Sequence, residues 1–271
     1  MEAWCLSGYL EGMLISSSSN ERIKLARRVR DGRERDWIFV EGERLTRECL
    51  VSGLKMEMAF ASVDASAEQE ELLRELRCPV FRLPDTLLES LGDTISTQGI
   101  IVIAERPWAS VERLLAVPHP LIVGLDRVQD PGNVGTIIRT AEAAGASGLL
   151  SFAGSADAFS PKTLRSAMGS AFRLPVMVDV AGAGALSMCR GRGMQCVAAC
   201  GEGEVDYDGY DWRQPALLIL GNEGRGVDSE LARACDTRVR IPLRAPVESL
   251  NVAAAGAAIL FEAARQRRQG R

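Results

Sequence analysis

The stretch LDRVQDPGNVGTIIRTAEAAG, residues 125–145, decides the fold of the second half of this chain. The apolar run over residues 121–125, which leads into it, predicts a buried strand. Asp130 and Pro131 are typical of a helix N-cap and a first helical residue, because proline has no amide hydrogen to leave unpaired and its φ is already helical. The pattern therefore predicts a strand followed by a helix over residues 131–144.

The predicted helix has two contrasting faces. An apolar stripe at helical spacing can pack on a sheet, and it consists of Val134, Ile138, Ala141 and Gly145. A small, polar stripe carries one long cation, and it consists of Gly132, Gly135, Thr136 and Arg139. A guanidinium beside a helix surface made of small residues lets an anionic ligand approach closely. A capped amphipathic helix also occurs in α/β proteins that have no such site, so this interpretation needs support from the rest of the chain.

Composition excludes several classes of protein. With 271 residues, of which 46% are hydrophobic and 25% charged, the chain can form one large or two medium domains. No apolar run is long enough to span a bilayer and the N-terminus has no signal-peptide pattern, so we expect a cytoplasmic protein with no membrane contact. The net charge of −4 gives no overall attraction to nucleic acid, so binding of RNA or DNA requires local basic patches.

Cysteine, histidine and acidic residues argue against disulfides and metal. The seven cysteines include no CxxC pair, so we expect reduced, structural thiols. His119 is the single histidine and lies between two prolines, which argues against a multi-histidine metal site and a Ser-His-Asp triad. The loop over residues 202–211 has five carboxylates, but their spacing fits no Ca²⁺ loop. We therefore expect this loop to be solvated and the protein to hold no metal.

Alternating strand and helix patterns predict two α/β units. Residues 13–105 form the first unit, with about four strands. Residues 106–120 are rich in proline and are predicted to be a linker that contains a short helical piece. In residues 121–271, successive strands separated by helices imply a parallel sheet that is flanked by helices on both faces.

A short basic helix is predicted near the start of the first unit. Ser18 and Glu21 have the spacing of a capping box. Residues 22–35 contain seven basic and two acidic residues, which form a compact positive patch that could follow RNA phosphates. The candidate RNA-binding side chains are Arg22, Lys24, Arg27, Arg28 and Arg30. The alternative, which the sequence leaves open, is that these basic side chains form a solvated helix face that binds no ligand.

Two further stretches in the second unit follow strands. In LILGNEGRGV, residues 218–227, three glycines within six residues let backbone amides approach a ligand. In IPLRAPVESLNVAAAGAAILFEAARQRR, residues 241–268, a helix lined with alanine and glycine lets another backbone pack very closely. The Rossmann fingerprint and the P-loop pattern are missing, which argues against a nicotinamide enzyme, a P-loop NTPase and the common open-sheet methyltransferases.

Three stretches, in this order and spacing, resemble the motifs of the SpoU (TrmH-like) branch of the SPOUT RNA methyltransferases. They are PGNVG with Asn133 and Arg139, the run GNEGRG over residues 221–226, and SLNV over residues 249–252 after Ile241-Pro242. The first unit resembles the ribosomal-protein-like substrate-binding domain that is often fused to this family. That likeness is carried by Asn20, Ile23 and Lys24, by FVEG over residues 39–42 and by Gln98-Gly99.

The resemblance implies a fold, a cofactor and a partner. The fold is α/β, with a parallel sheet whose C-terminal part forms a trefoil knot and with the helix after Asn251 as the threaded piece. The cofactor is S-adenosylmethionine, and the partner is a second copy of the chain, so that each active site of the homodimer uses both chains. The implied cofactor-binding residues are Gly221, Ile241 and Leu250, together with Leu220, Gly226 and Pro242.

The reaction that the resemblance implies is methyl transfer to a ribose 2′-hydroxyl in RNA. Arg139 matches the essential arginine of the family. Because a guanidinium keeps its proton up to about pH 12, we interpret its role as clamping a phosphate and stabilising the developing 2′-oxyanion, and whether it also takes the proton stays open. Asn133, Glu223, Ser249 and Asn251 are expected to position the ribose, the cofactor or Arg139. A pairing of Glu223 with Arg139 is one hypothesis for how the arginine is held.

The identity of the RNA is predicted less directly than the reaction. The ribosomal-protein-like domain favours large-subunit ribosomal RNA, with a hairpin or loop as the target. Transfer RNA is the alternative within the enzyme class. A noncatalytic RNA-binding protein of the same fold is the alternative outside it, although the intact motif residues argue against it. A dinucleotide-dependent oxidoreductase is disfavoured by the glycine pattern.

Overall fold

The computed structural model describes residues 13–94 and 97–269. The first 12 residues, for which no signal peptide is predicted, lie outside the described part. The chain divides into two compact units: one comprises the residues up to Arg106 together with Phe159–Arg165, and the other comprises Pro107–Ala158 and the residues from Ser166 onward. In the described part, no helix is both long enough and apolar enough to cross a membrane.

The first unit is built on a mixed β-sheet. Its strands are β1 (Met13–Leu14), β2 (Trp37–Glu41), β3 (Met56–Ser62), β4 (Val80–Leu83) and β5 (Ile100–Glu105). Its helices are α1 (Glu21–Arg30), α2 (Glu43–Val51), α3 (Ala67–Glu75) and α4 (Asp85–Leu91). The strand order is β1-β4-β3-β5-β2, in which β5 runs antiparallel to both of its neighbours. The edge strand β1 brings the number to five where about four are predicted, because two residues are too few to show an alternating pattern.

Helix α1 does not begin with the predicted capping box. Asn20 is its N-cap, and the side-chain oxygen of Asn20 accepts a hydrogen bond from the amide of Arg22 at 2.9 Å. Ser18 lies before this cap, so the predicted pairing of Ser18 with Glu21 is wrong. The apolar face of α1 is buried, and it consists of Ile23, Ala26 and Val29. The basic residues of α1 therefore lie on its outer side.

The second unit is built on a seven-stranded sheet. Its strands are β6 (Leu121–Asp126), β7 (Gly148–Phe152), β8 (Val176–Val180), β9 (Gln195–Ala199), β10 (Val205–Asp206), β11 (Ala216–Gly221) and β12 (Thr237–Arg240). The remaining helices of the chain are α5 (Val111–Leu114), α6 (Pro131–Ala143), α7 (Pro161–Ala167), α8 (Ser170–Arg173), α9 (Gly182–Arg190), α10 (Ser229–Ala234) and α11 (Val252–Gln269). The strand order is β10-β12-β9-β11-β6-β7-β8 and every pair is parallel, which confirms the predicted parallel sheet.

Helix α6 begins as the sequence predicts and ends earlier. The side chain of Asp130 accepts hydrogen bonds from the amides of Gly132 at 2.6 Å and Asn133 at 3.1 Å, so Asp130 is the N-cap. The predicted apolar stripe is buried at Val134, Ile138 and Ala141. Gly145 is wrongly placed in that stripe, because it lies beyond the helix with a φ of +80°. Gly135 is wrongly placed on the polar face, because it is buried.

Helix α11 packs as closely as its small residues predict. A Cβ atom added to Gly256 would lie 2.7 Å from Cδ1 of Leu220 on β11, so the Leu220 side chain would have to shift to admit one. Asn251 caps the helix, since its side-chain oxygen accepts hydrogen bonds from the amides of Ala253 at 2.9 Å and Ala254 at 3.2 Å. The Asn251 motif and the strand before the glycine loop are thereby held against each other.

The acidic loop over residues 202–211 is not simply solvated. It contains β10, which pairs with β12, and the Asp206 carboxylate accepts a hydrogen bond from Arg240 at 2.7 Å. Glu204 forms an ion pair with Arg238 in the same way. Both carboxylates remain exposed, as a solvated loop predicts, but their ion pairs were not predicted, because the arginine partners are distant in sequence. Within residues 13–94 and 97–269, no group of three or more metal-ligating side chains could hold a metal ion.

Candidate active site

A tight loop follows the carboxyl end of β11 and is fixed by its own backbone. The amide of Asn222 donates to the carbonyl of Gly226 at 3.0 Å, and the amide of Gly226 donates back to Asn222 at 2.8 Å. A Cβ atom on Gly221 would lie 2.0 Å from the backbone nitrogen of Val227, so only glycine fits at that position. The side-chain oxygen of Asn222 accepts hydrogen bonds from the amides of Gly224 and Arg225, at 3.0 and 3.1 Å. This loop presents a preformed turn beside β6.

Glu223, at the tip of this loop, connects the three predicted motif stretches. Its carboxylate accepts hydrogen bonds from the amides of Gln129 at 3.2 Å and Asp130 at 3.1 Å. It also accepts one from Nδ2 of Asn133 at 3.0 Å. Oδ1 of Asn133 in turn accepts a hydrogen bond from Nδ2 of Asn251 at 3.0 Å. Three segments that are far apart in sequence therefore meet in one hydrogen-bonded chain of side chains.

The Glu223 carboxylate is held in its charged form. Burial raises its pKa, but the hydrogen bonds from Asn133 and from the amides of Asp130 and Gln129 together outweigh burial and lower the pKa below its usual value. Glu223 therefore acts as a hydrogen-bond acceptor and a fixed negative charge near neutral pH. A general acid at this position would need the opposite shift.

Arg139 does not join this network within one chain. It lies on the exposed side of α6, and its side chain has no hydrogen-bond or ion-pair partner among the described residues. The hypothesis that Glu223 pairs with Arg139 is therefore wrong for a single chain. Six residues separate Arg139 from Asn133, which corresponds to about 9 Å along the helix axis and about 120° around it. The two side chains consequently leave α6 in different directions.

A cavity of about 250 Å³ lies between the glycine loop and the loop before α11. Of the predicted cofactor-binding residues, those that line it are Leu220, Gly221, Gly226, Ile241 and Leu250. Ser249 and Glu223 also line it, whereas Pro242 does not. Sequence reasoning missed the contribution of β9, whose carboxyl end adds Ala199, Cys200 and Gly201 to the wall. The available signal was the position of β9 next to β11, because parallel strands end at the same edge of a sheet.

The residues present suit an apolar, positively charged ligand. Leu243 and Leu250 line the cavity while remaining 38% and 43% exposed, so a ligand with an apolar part would cover them. The charged side chains in the lining are Glu223 and Glu248, both acidic. A nucleoside that carries a sulfonium group combines these two properties, so the lining fits S-adenosylmethionine.

A further arginine, which sequence reasoning missed, fixes the neighbouring loops. Arg127 follows β6 with a φ of +55°, and its carbonyl accepts a hydrogen bond from Nδ2 of Asn222 at 2.8 Å. Its guanidinium pairs with Asp126 and, at 3.2 Å, with Asp228, the N-cap of α10. Arg127 thereby ties the end of β6 to the glycine loop. No pattern in the sequence marks this position, because its partners Asn222 and Asp228 lie about a hundred residues away.

The predicted RNA-binding side chains of α1 are partly occupied by partners in the first unit. Arg28 forms an ion pair with Glu34 at 2.7 Å, and Lys24 forms one with Glu21 at 2.8 Å. Arg27 donates a hydrogen bond to the hydroxyl of Ser90 at 3.2 Å, and Arg22 stacks on the ring of Phe81 at 4.7 Å. Arg30 donates hydrogen bonds to the backbone carbonyls of Leu91 at 3.1 Å and Gly92 at 3.2 Å. Arg30 therefore contributes to the local fold more than to a free positive surface.

The fold and the site together define a class of RNA-modifying enzyme. The SpoU methyltransferase AviRb from Streptomyces viridochromogenes, crystallised with AdoMet, matches with a TM-score of 0.86 and 31% identity over 93% of this chain and 100% of that chain. An AdoMet-bound rRNA methyltransferase from Sinorhizobium meliloti matches with a TM-score of 0.81 and 32% identity over 93% and 97%.

The chain belongs to the SpoU rRNA Methylase family, whose model matches residues 120–261. It is 33% identical to the 23S rRNA (uridine(2479)-2'-O)-methyltransferase of Streptomyces viridochromogenes, over 95% of this chain and 98% of the relative. It is also 33% identical to the 23S rRNA (guanosine(2553)-2'-O)-methyltransferase RlmP of Bacillus subtilis, over 91% and 97%. These comparisons confirm the family that the three motifs predict.

Proposed function

We propose that this protein transfers a methyl group from S-adenosylmethionine to a ribose 2′-hydroxyl of large-subunit ribosomal RNA. The observation that carries the proposal is the hydrogen-bonded chain Glu223–Asn133–Asn251 at the rim of a glycine-bounded, acidic cavity. Two relatives that match nearly the whole chain are 23S rRNA 2′-O-methyltransferases, which favours ribosomal over transfer RNA. We also propose that the protein acts in the cytoplasm.

The cofactor residues act mainly by shape. When bound, S-adenosylmethionine supplies a methyl group already activated on a positively charged sulfur. Leu220, Ile241 and Leu250 would contact the apolar part of the cofactor, while the turn at Gly221 and Gly226 brings backbone groups close to it. Glu223 stays charged and favours a cation nearby. Ser249 is exposed in the loop before α11 and would bind the cofactor or the ribose.

Orientation and charge are the two tasks left to the remaining residues. Asn133 and Asn251 are held by each other and by Glu223, so their polar groups are fixed before RNA arrives. The hydroxyl would lose its proton to solvent or to a base, and negative charge develops on its oxygen as the proton leaves. The oxygen would then bond to the methyl carbon while the carbon–sulfur bond breaks, which leaves a neutral thioether. The guanidinium of Arg139 stabilises this charge.

We propose that the protein acts as a homodimer, which the direction of Arg139 supports. Since Arg139 leaves α6 away from the network of its own chain, we assign it to the active site of a second copy. The same arrangement fits the proposed knot. After β12 the chain must return past β9, because α11 packs on α6 and β11. A threaded loop over residues 241–251 would accomplish that return.

The proposed function is tested by incubating the purified protein with labelled S-adenosylmethionine and either large-subunit ribosomal RNA or transfer RNA. We expect label in the ribosomal RNA, in alkali-resistant dinucleotides, because a methylated 2′-oxygen cannot attack the neighbouring phosphate. Calorimetry should show that the protein binds S-adenosylmethionine and not NAD. Label confined to transfer RNA would favour the alternative substrate, and binding of RNA without transfer would favour a noncatalytic protein.

The basic face of α1 is proposed to bind RNA phosphates, and the first unit is proposed to be the RNA-binding domain. Replacing Arg27 and Arg28 with glutamine should weaken RNA binding, and the slope of log Kd against log salt should fall by about 0.7 to 0.9 per lost contact. Arg30 is left intact because its carbonyl contacts support the fold.

The matched control replaces Arg74 and Arg77 with glutamine. Both are exposed and lie on or just after α3, a helix that packs with α2, whereas α1 packs with α4. This control removes the same charge from a different helix pair and should leave the salt slope unchanged. If log Kd for RNA depends on log salt with the same slope in both double variants, α1 does not bind RNA and its basic face is only solvated.

A further inference from the structure

A second, smaller cavity adjoins the glycine loop on the side of β6. It measures about 210 Å³, and its lining consists of Arg127, Gln129, Asn222 and Arg225. Two guanidinium groups and two carboxamides therefore surround it. In a chain whose net charge is −4, a cavity with two arginines and no acidic residue in its lining favours an anion. Because Arg127 is already paired with Asp126 and Asp228, the positive charge available to a ligand is that of Arg225.

The two arginines of this cavity differ in how they are held. Arg127 is fixed by Asp126 and Asp228, as described above. Arg225 is exposed, and its side chain has no hydrogen-bond or ion-pair partner in the described part of the chain, although its amide is fixed by Asn222. One guanidinium is thus part of the wall, and the other is free to close on a ligand.

The position of this cavity relative to the larger one limits what the anion can be. Asn222 lines both cavities, so they share a wall. The charged side chains of the larger cavity are acidic and suit a positively charged methyl donor, whereas those of the smaller cavity are basic. In RNA, the anion nearest to a 2′-hydroxyl is the phosphodiester on the adjacent 3′ oxygen of the same ribose. A ribose held between the two cavities would place its 2′-hydroxyl toward the larger cavity, where the methyl donor binds, and this phosphodiester toward the smaller, basic cavity.

We propose that the cavity bounded by Arg127, Gln129, Asn222 and Arg225 binds the phosphodiester on the 3′ side of the ribose that is methylated. This proposal rests on the proposed function and adds a substrate subsite to it. Arg225 and Gln129 contact the phosphate, and Arg127 also positions Asn222 through its carbonyl. The phosphate contact would fix the register of the strand, as backbone contacts do in nucleic-acid complexes, and the ribose would follow.

The test compares Arg225→Ala, Arg225→Lys and the control Arg192→Ala with the wild-type protein, using naked large-subunit ribosomal RNA. Arg192 is exposed in the turn between α9 and β9, at the amino ends of the strands, so it lies at the opposite edge of the sheet from the site. For Arg225→Ala we expect the KM for RNA to rise about tenfold, as for the loss of a charge-assisted hydrogen bond. The slope of log Kd for RNA against log salt should fall by about 0.7 to 0.9.

Arg225→Lys should have a salt slope close to that of the wild-type protein, because an ammonium keeps the charge. Its KM for RNA should lie between those of the wild-type protein and Arg225→Ala, because the bidentate contact is lost. The affinity for S-adenosylmethionine should be the same in all four proteins. An Arg225→Ala protein whose KM and salt slope match those of Arg192→Ala would overturn the proposal, and so would a comparable loss of cofactor affinity. Failure of the proposed function would appear differently, as a wild-type protein that binds no S-adenosylmethionine, and the RNA salt slopes do not depend on that result.

Discussion

Replacing Arg139 with alanine is expected to lower the rate of methyl transfer by at least about two orders of magnitude, as for loss of a group that stabilises developing charge. The affinity for S-adenosylmethionine should not change, because Arg139 is absent from the lining of the cofactor cavity. The fold should tolerate the change, since the side chain is exposed and makes no hydrogen bond or ion pair within the described residues. Single-turnover transfer of labelled methyl to ribosomal RNA, together with calorimetry of cofactor binding, measures both effects.

Arg139→Lys serves as the charge-preserving control. A lysine keeps the positive charge but cannot contact two oxygens at once, so it should recover only part of the rate. Thr140→Ala, at the next position of α6 and outside the polar stripe, is a control for disturbance of the helix itself, since its hydroxyl donates to the backbone carbonyl of Thr136 at 2.8 Å. Turnover of Arg139→Ala close to the wild-type rate would remove the arginine from the mechanism and leave the developing charge to other groups.

The sequence predicts elements that depend on neighbouring residues. The cap at Asp130 is confirmed because proline and the side chains around it fix the local backbone, whatever packs on the helix. The parallel sheet is confirmed because each strand is a short apolar run followed by a helix, and such connections leave few alternatives. The two-residue strands β1 and β10 are missed, since they exist only through their partners β4 and β12.

The site is less predictable where it depends on direction and on distant partners. Sequence spacing shows that Arg139 and Asn133 lie on the same helix. It does not show the partners of Glu223, which are the amides of Gln129 and Asp130. These amides face Glu223 only because β6 and β11 pair in this register. The role of Arg127 is invisible for the same reason. Its carboxylate partner Asp228 comes into reach only through the fold. The sequence motifs thus indicated which residues belong to the site, whereas their hydrogen-bond and ion-pair partners are set by the fold.

Replacing Gly221 with alanine is expected to abolish most cofactor binding. The added methyl group would lie 2.0 Å from the nitrogen of Val227 and 2.1 Å from the carbonyl carbon of Gly226, both of which are backbone atoms that cannot rotate away. The loop must therefore open, which breaks the paired hydrogen bonds between Asn222 and Gly226. Overpacking of this kind costs about 1–3 kcal/mol, so the affinity for S-adenosylmethionine should fall about 5- to 150-fold.

Gly224→Ala is the matched control in the same loop. Its added methyl group would lie no closer than 3.8 Å to Oδ1 of Asn222, an ordinary contact, so the loop should stay closed. Although Gly224 also lines the cavity, cofactor affinity should therefore fall less than in Gly221→Ala. Thermal unfolding of both variants, measured without cofactor, separates a local opening of the loop from loss of the fold. Equal cofactor affinity for Gly221→Ala and the wild type would show that the turn at Gly221 takes no part in cofactor binding.

Coexpression of Arg139→Ala with Gly221→Ala then tests how the site is assembled. If one chain supplies the cofactor cavity and its partner supplies the guanidinium, a mixed dimer has one site with both defects and one site with neither. Random pairing makes half of the dimers mixed, so about one quarter of the wild-type activity should return at a cofactor concentration too low to saturate Gly221→Ala, at which each variant alone has little activity. A mixture as inactive as its components would place both residues in the same subunit's site, and Arg139 would then have to reach around α6 to meet Asn133.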